Sequence, residues 1–155
     1  ELFDYTGSTK RGSWSGDGIK FGTDTSSDNA LDDYEQGSWT AGASSYDGTV
    51  TTNESRYVKV GNLVHVQAYI SFSNTTDSSE VYITGLPFTA NGGSNVYSQI
   101  KTQTNANIED PILRSQGGTT ELRGCYYNGS DGDAKFTYTM VKQKWLIFGG
   151  TYLAA

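Results

Sequence analysis

Few residues in this 155-residue chain have the types and spacing that chemistry usually needs: it has one histidine and one cysteine. His65 lies in the middle of an alternating segment, beside Gln67 and Tyr69 on its more polar face. A catalytic base there would need a nearby nucleophile and an orienting carboxylate, and the sequence places neither beside it. It reads as an ordinary half-buried histidine. Cys125, between Gly124 and Tyr126, can neither close a disulfide within the chain nor form a zinc site alone, and reads as a small buried thiol. Carboxylates pair at Asp32-Asp33-x-Glu35, Glu109-Asp110 and Asp131-x-Asp133, the residue types of a glycosidase, but no spacing puts two of them in one cleft. Asn128-Gly129-Ser130-Asp131-Gly132-Asp133 offers oxygens in a glycine-bearing loop. It lacks the ligand spacing and terminal glutamate of the helical calcium loop. It reads as a solvated hairpin turn, and neither a metal nor a cofactor is expected.

Aromatic rings are the stronger signal. Trp14, Trp39, Tyr46, Tyr97, Tyr126, Tyr127 and Trp145 lie next to turns or on strand faces expected to be less buried. Flat rings stack on apolar sugar faces or protein patches while short polar groups fix hydroxyls, and packing between subunits is the competing use of the same rings. Tyr126, Tyr127, Asn128, Asp131 and Asp133 combine two rings with a polar turn and are the expected ligand-contact residues.

The elements that must position these residues are strands. The 16.8 kDa chain fits one ordinary domain. Nineteen Gly and a charged fraction of only 18% favour turns over long helices. Leu63 to Phe72 alternates strictly, with Val64, Val66, Ala68, Ile70 and Phe72 on one face and Leu63, His65, Gln67, Tyr69 and Ser71 on the other, the pattern of a half-buried antiparallel strand. Further strands are expected at 56–60, 81–84, 96–103, 111–115, 119–127, 135–142 and 145–153, with Gly61-Asn62 closing a tight hairpin. Helical periodicity is absent. This spacing predicts an all-β chain, an antiparallel β-sandwich or jelly-roll-like head over 45–155, preceded by an extended segment over 1–44 too poor in apolar residues to fold alone.

Charge sharpens that division. Residues 1–47 hold 9 acids and 3 bases and residues 48–155 hold 8 of each, so the whole formal charge of −6 sits at the N-terminal end. Such a surface argues against nucleic acid, whose binders need clustered Lys and Arg, and against anionic membranes. No apolar run approaches the roughly 20 residues that span a bilayer, so no membrane insertion is expected. The opening Glu1-Leu2-Phe3-Asp4 has neither an initiator methionine nor a signal-peptide pattern, which suggests a portion of a longer polypeptide.

Two blocks, Gly18-Ile19-Lys20-Phe21-Gly22-Thr23-Asp24 and Ala30-Leu31-Asp32-Asp33-Tyr34-Glu35-Gln36-Gly37-Ser38-Trp39-Thr40, resemble the junction that precedes the C-terminal head of tailed-phage fibre proteins. Tyr57 to Val66, Ile83-Thr84-Gly85-Leu86-Pro87-Phe88 and Gly149-Gly150-Thr151-Tyr152 are similar to such heads, marine and cyanophage ones especially. The family pattern is broken where Ala41-Gly42 follows Thr40 in place of a proline-containing strand start, and residues 95–145 are largely unmatched. The resemblance implies a homotrimeric, non-enzymatic fibre tip on the virion. Its N-terminal side would lead to the rest of the fibre, and its head would bind a host cell-surface glycan or protein. Under that expectation the segment 126–133 is where the host is contacted. A structural head-fibre or capsid-decoration domain without a receptor of its own is the alternative, and a polysaccharide-degrading tailspike domain ranks third.

Overall fold

The computed structural model describes residues 2–3, 10–15, 18–21, 34–92, 98–127 and 133–155. The chain divides into two compact units, Glu1–Glu35 with Lys59–Gly61, and Gln36–Val58 with Asn62–Ala155. In the first unit β1 (Leu2–Phe3), β2 (Lys10–Ser15) and β3 (Gly18–Phe21) form an antiparallel sheet in that order, with Trp14 opposite Ile19. Trp14 is 67% exposed, and Lys59 Nζ lies 3.9 Å from Glu35. The other junction acids, Asp24, Asp28, Asp32 and Asp33, lie outside the described residues.

The chain is all-β apart from one helical turn among the described residues. After β4 (Tyr34–Gly37) come β5 (Gly42–Ala43), β6 (Val50–Val60), β7 (Leu63–Phe72), β8 (Tyr82–Thr84), β9 (Gln99–Thr104), β10 (Ile112–Ser115), β11 (Leu122–Tyr127), β12 (Asp133–Lys135), α1 (Tyr138–Val141) and β13 (Trp145–Leu153). They form one sheet in the order β4-β6-β7-β13-β9-β10-β11-β8-β5, with β12 paired to β11. Strand order alone requires this sheet to curl. Laid flat, nine strands at roughly 4.8 Å spacing separate β4 from β5 by about 38 Å. The chain from Gly37 to Gly42 can reach at most about 19 Å.

The link that closes this distance is anchored at both sides. The Trp39 amide donates to Ser55 Oγ at 3.1 Å, the Ala41 amide donates to Thr52 Oγ1 at 3.0 Å, and both hydroxyls donate back to the link's carbonyls. On the far side Gly85 adopts φ +87°, and a Cβ there would lie 2.3 Å from the Thr40 carbonyl oxygen, so only glycine fits. Trp39, expected beside a surface turn, is instead buried and meets Phe148 edge-on at 6.2 Å. Its position in a short link between the two sheet edges drives it inward.

The alternation of β7 is realised in full: Val64, Val66, Ala68, Ile70 and Phe72 are all buried. They meet Leu146, Phe148 and Tyr152 of β13 and residues of the shorter strands, including Ile83, Ile100, Leu113 and Leu122, in one core. The expected strand over 135–142 is corrected. β12 ends at Lys135 and the chain then turns through α1. Phe136 and Tyr138 are both buried, as a strand would allow, but the next buried residue is Val141, three positions on, a helical spacing. The Tyr138 hydroxyl fixes the turn, donating toward the carbonyls of Ser44 (2.9 Å) and Tyr82 (3.0 Å) and accepting from the Tyr82 amide (3.1 Å).

Candidate functional site

The strands that build the core also carry a second, outward face. On β7 it consists of Leu63, His65, Gln67, Tyr69 and Ser71; on β13, of Trp145, Ile147, Gly149, Thr151 and Leu153. Register places Tyr69 opposite Ile147, Gln67 opposite Gly149, His65 opposite Thr151 and Leu63 opposite Leu153. On the other flank β9 sets Gln103 opposite Ile147 and Lys101 opposite Gly149. Directly opposed residues on one face have Cβ atoms about 5 Å apart. Tyr69, Ile147 and Gln103 therefore form one row, and Gln67, Gly149 and Lys101 the next.

At the centre of these rows Gly149 contributes no side chain. A depression of about 400 Å³ opens over it, lined by Gln67, Tyr69, Ile147, Gln103, Lys101 and Glu54. Tyr69 and Ile147 are 39% and 42% exposed. Trp145, half-buried, meets the Tyr69 ring at 85° with centroids 6.3 Å apart, an edge-to-face geometry that braces the ring. His65, expected to be half-buried, is exposed on this face, because the outward rows of β7 carry no covering layer among the described residues.

Packing does not account for the glycine. At Gly150, the next residue, a Cβ would sit 3.2 Å from both Cα and Cγ1 of Ile100, tighter than ordinary contact. At Gly149 the nearest atoms would be Gln67 Cβ and the Val66 carbonyl, both at 3.6 Å, so alanine fits without adjustment. A strand glycine that neither φ nor packing demands leaves space where another molecule can approach the backbone.

Of the residues singled out from sequence, Tyr126 and Tyr127 lie on β11 and Asp133 on β12. Tyr126 is half-buried and leans on the core; its backbone pairs with Ala134, and that of Tyr127 with Asp133. The structure thus provides the two arms of the expected hairpin, while Asn128 and Asp131 lie outside the described residues, as does Tyr97. Cys125 is buried, as expected for a small interior thiol. Glu109 and Asp110 are both exposed.

Sequence reasoning missed Glu80. Its carboxylate accepts from Arg123 Nε and Nη2 at 3.2 and 3.0 Å, from the Tyr82 hydroxyl at 3.2 Å, and from Lys135 Nζ. The Lys135 hydrogen bond, followed by that of Arg123, holds the Glu80 carboxyl below its ordinary range against partial desolvation. An ionised, fully engaged carboxylate is a brace across β8, β11 and β12, fastening the base of the β11–β12 hairpin. No group of three or more His, Cys, Asp or Glu placed to hold a metal occurs among the described residues, and no helix there is long and apolar enough to cross a membrane.

No protein-family model matches the chain, no curated protein matches its sequence, and no solved structure matches its fold. The functional reading therefore rests on the residues themselves and on the faces they form. The sequence feature that bears on the depression is the Gly149-Gly150 doublet in a largely apolar strand, which marks an unusual place in β13 without saying which glycine lacks a neighbour.

Proposed function

We propose that this chain is the attachment head of a tailed-phage fibre, a non-enzymatic virion domain that binds a host cell-surface glycan or protein. It would work as a homotrimer, with the β-sandwich or jelly-roll-like unit outward and the N-terminal unit toward the rest of the fibre. The observation that carries the reading is the outward face of β7 and β13, where Leu63, Tyr69, Ile147 and Leu153 are all exposed on strands whose other face is core. Strands locked by a core hold an adhesive surface at little further ordering cost. The likeness of the junction and strand blocks to phage fibre heads supports the same reading. Threefold repetition would raise weak single-site affinity through effective concentration.

A structural fibre or decoration domain without its own receptor is the second reading. It is favoured by the exposed Leu63–Leu153 pair, which contact between copies would bury. Adsorption of fluorescently labelled protein to a panel of bacterial strains separates the two. Saturable binding to some strains, blocked by unlabelled protein, is expected; a trimer by light scattering that adsorbs to none would favour the structural domain. A monomer mass at micromolar concentration would remove the trimer from the proposal.

A further inference from the structure

We propose that the Gly149 depression binds one pyranose residue of the surface glycan, and that Lys101 selects a residue carrying an anionic substituent. This deepens the attachment reading and rests on it. The depression's chemistry matches a sugar better than it matches a peptide side chain or a second sheet. It is shallow, and its volume of about 400 Å³ lies in the range of small-ligand sites. Its apolar lining is concentrated on one side, at Tyr69 and Ile147, where the C–H face of a pyranose can rest on a ring braced by Trp145.

Gln67 beside Gly149 and Gln103 beside Ile147 stand at diagonal corners of the depression, and each amide offers both donors and an acceptor, which hydroxyls on either edge of a sugar ring can use. These amides flank Gly149 and Ile147 in register, so backbone pairing fixes where both are rooted. The floor is bare backbone at Gly149, which lets a pyranose ring come close.

Charge narrows the class. Glu54 lies 4.0 Å from Arg56, so the acid at the rim already has a cation beside it. Lys101 has no ion pair among the described residues and stands directly beside the floor. A lysine is a point charge on a flexible stem, suited to a carboxylate or phosphate carried by the sugar rather than to a planar bidentate partner. Uronates and phosphorylated sugars share this anionic chemistry, and the test distinguishes them.

The test is an array of immobilised oligosaccharides containing matched neutral, uronate-bearing and phosphate-bearing members, probed with wild-type protein and with Gly149→Val, Tyr69→Ala and Lys101→Gln. Melting temperature and light-scattering mass are measured on each. Wild type is expected to prefer one anionic class, which names the substituent. Gly149→Val and Tyr69→Ala should lose about tenfold or more in affinity at unchanged mass and melting temperature, a change of ~1.4 kcal/mol. Lys101→Gln should bind neutral and anionic members alike. Unchanged binding by Gly149→Val would overturn the site while leaving attachment intact. Preserved anion preference in Lys101→Gln would overturn the selectivity. Loss of oligomeric mass in Gly149→Val or Tyr69→Ala would mean that another copy of the chain covers this face. A wild type that binds neither the array nor any cell panel would overturn the attachment reading as well.

Discussion

Gly149 and Gly150 are neighbours in one strand, yet they belong to regions with opposite requirements. Gly150 turns toward the core, where Ile100 fills the space a side chain would need. Gly149 turns outward over a depression that nothing in the described residues fills. The inner face is a packing problem solved by shape, with Gly124 as a second instance, where a Cβ would meet the Phe136 ring at 2.6 Å. On the outer face residue types depart from what packing alone would choose. Function is to be sought at positions such as Gly149, where the residue is poorer for the fold than its surroundings would permit.

The largest effect that tests this contrast lies in the core. Phe72 is 4% exposed and meets Tyr46 edge-on at 5.7 Å, so Phe72→Ala should cost about 3–5 kcal/mol through lost burial and a cavity. Denaturant unfolding measures it, and a loss under ~1 kcal/mol would reverse the face assignment of β7. Next comes Tyr138→Phe. Deleting one hydroxyl takes a partner from the part-buried Ser44 carbonyl and Tyr82 amide, with an expected loss of ~1–3 kcal/mol in the same assay.

The glycine doublet gives the sharpest comparison because the two substitutions should differ in sign. Gly150→Ala forces Ile100 to shift and should destabilise by roughly 1–3 kcal/mol. Gly149→Ala meets only ordinary contacts and relieves the entropic cost of a strand glycine, so it should be neutral or stabilise by up to about 1 kcal/mol. Equal losses at both positions would mean that the outer face is packed like the inner one.

The smallest effect concerns Glu80. Its carboxyl is held below the ordinary value of 4.5, so the folded state keeps the ionised form longer than the unfolded chain does as pH falls. Its contribution is present in full above that ordinary value and is lost as pH drops through the lowered folded one. Urea midpoints compared at pH 7 and in the acid range should show a modest part of the acid-side loss disappearing in Glu80→Gln. Tyr152 acts at the other extreme. Burial pushes its hydroxyl from 10.0 up to about 12, so its contribution is present below pH 10 and fades as pH rises toward the folded value.

Local pattern carried much of this fold and little of its site. The β7 face was legible because each of its five inward residues is apolar while His65, Gln67 and Ser71 on the other face are polar, which fits period two and not a helical period. Residues 135–142 misled because Phe136 and Tyr138 keep strand spacing while the hydroxyl that bends the chain acts through Ser44, 94 residues away in sequence. Trp39 misled likewise: only the strand order, with β4 and β5 at opposite ends of the sheet, shows that its short link must run inward. The depression was unreadable in advance because a Gly-Gly pair does not say which member has a neighbour. That depends on Ile100 of β9, brought beside β13 by long-range pairing. The hairpin chosen from sequence, Tyr126 to Asp133, had rings and polar groups adjacent in the chain, whereas Tyr69, Gln103 and Lys101 come together only across three strands.

These two locations can be set directly against each other by mapping amide chemical shifts of labelled wild-type protein during titration with the oligosaccharide it binds best on the array. The amides of Gln67, Tyr69, Lys101, Ile147 and Gly149 are expected to shift together with one affinity, while those of Tyr126, Tyr127 and Asp133 stay in place. Shifts confined to the β11–β12 hairpin, with the Gly149 face unmoved, would contradict the Gly149 site.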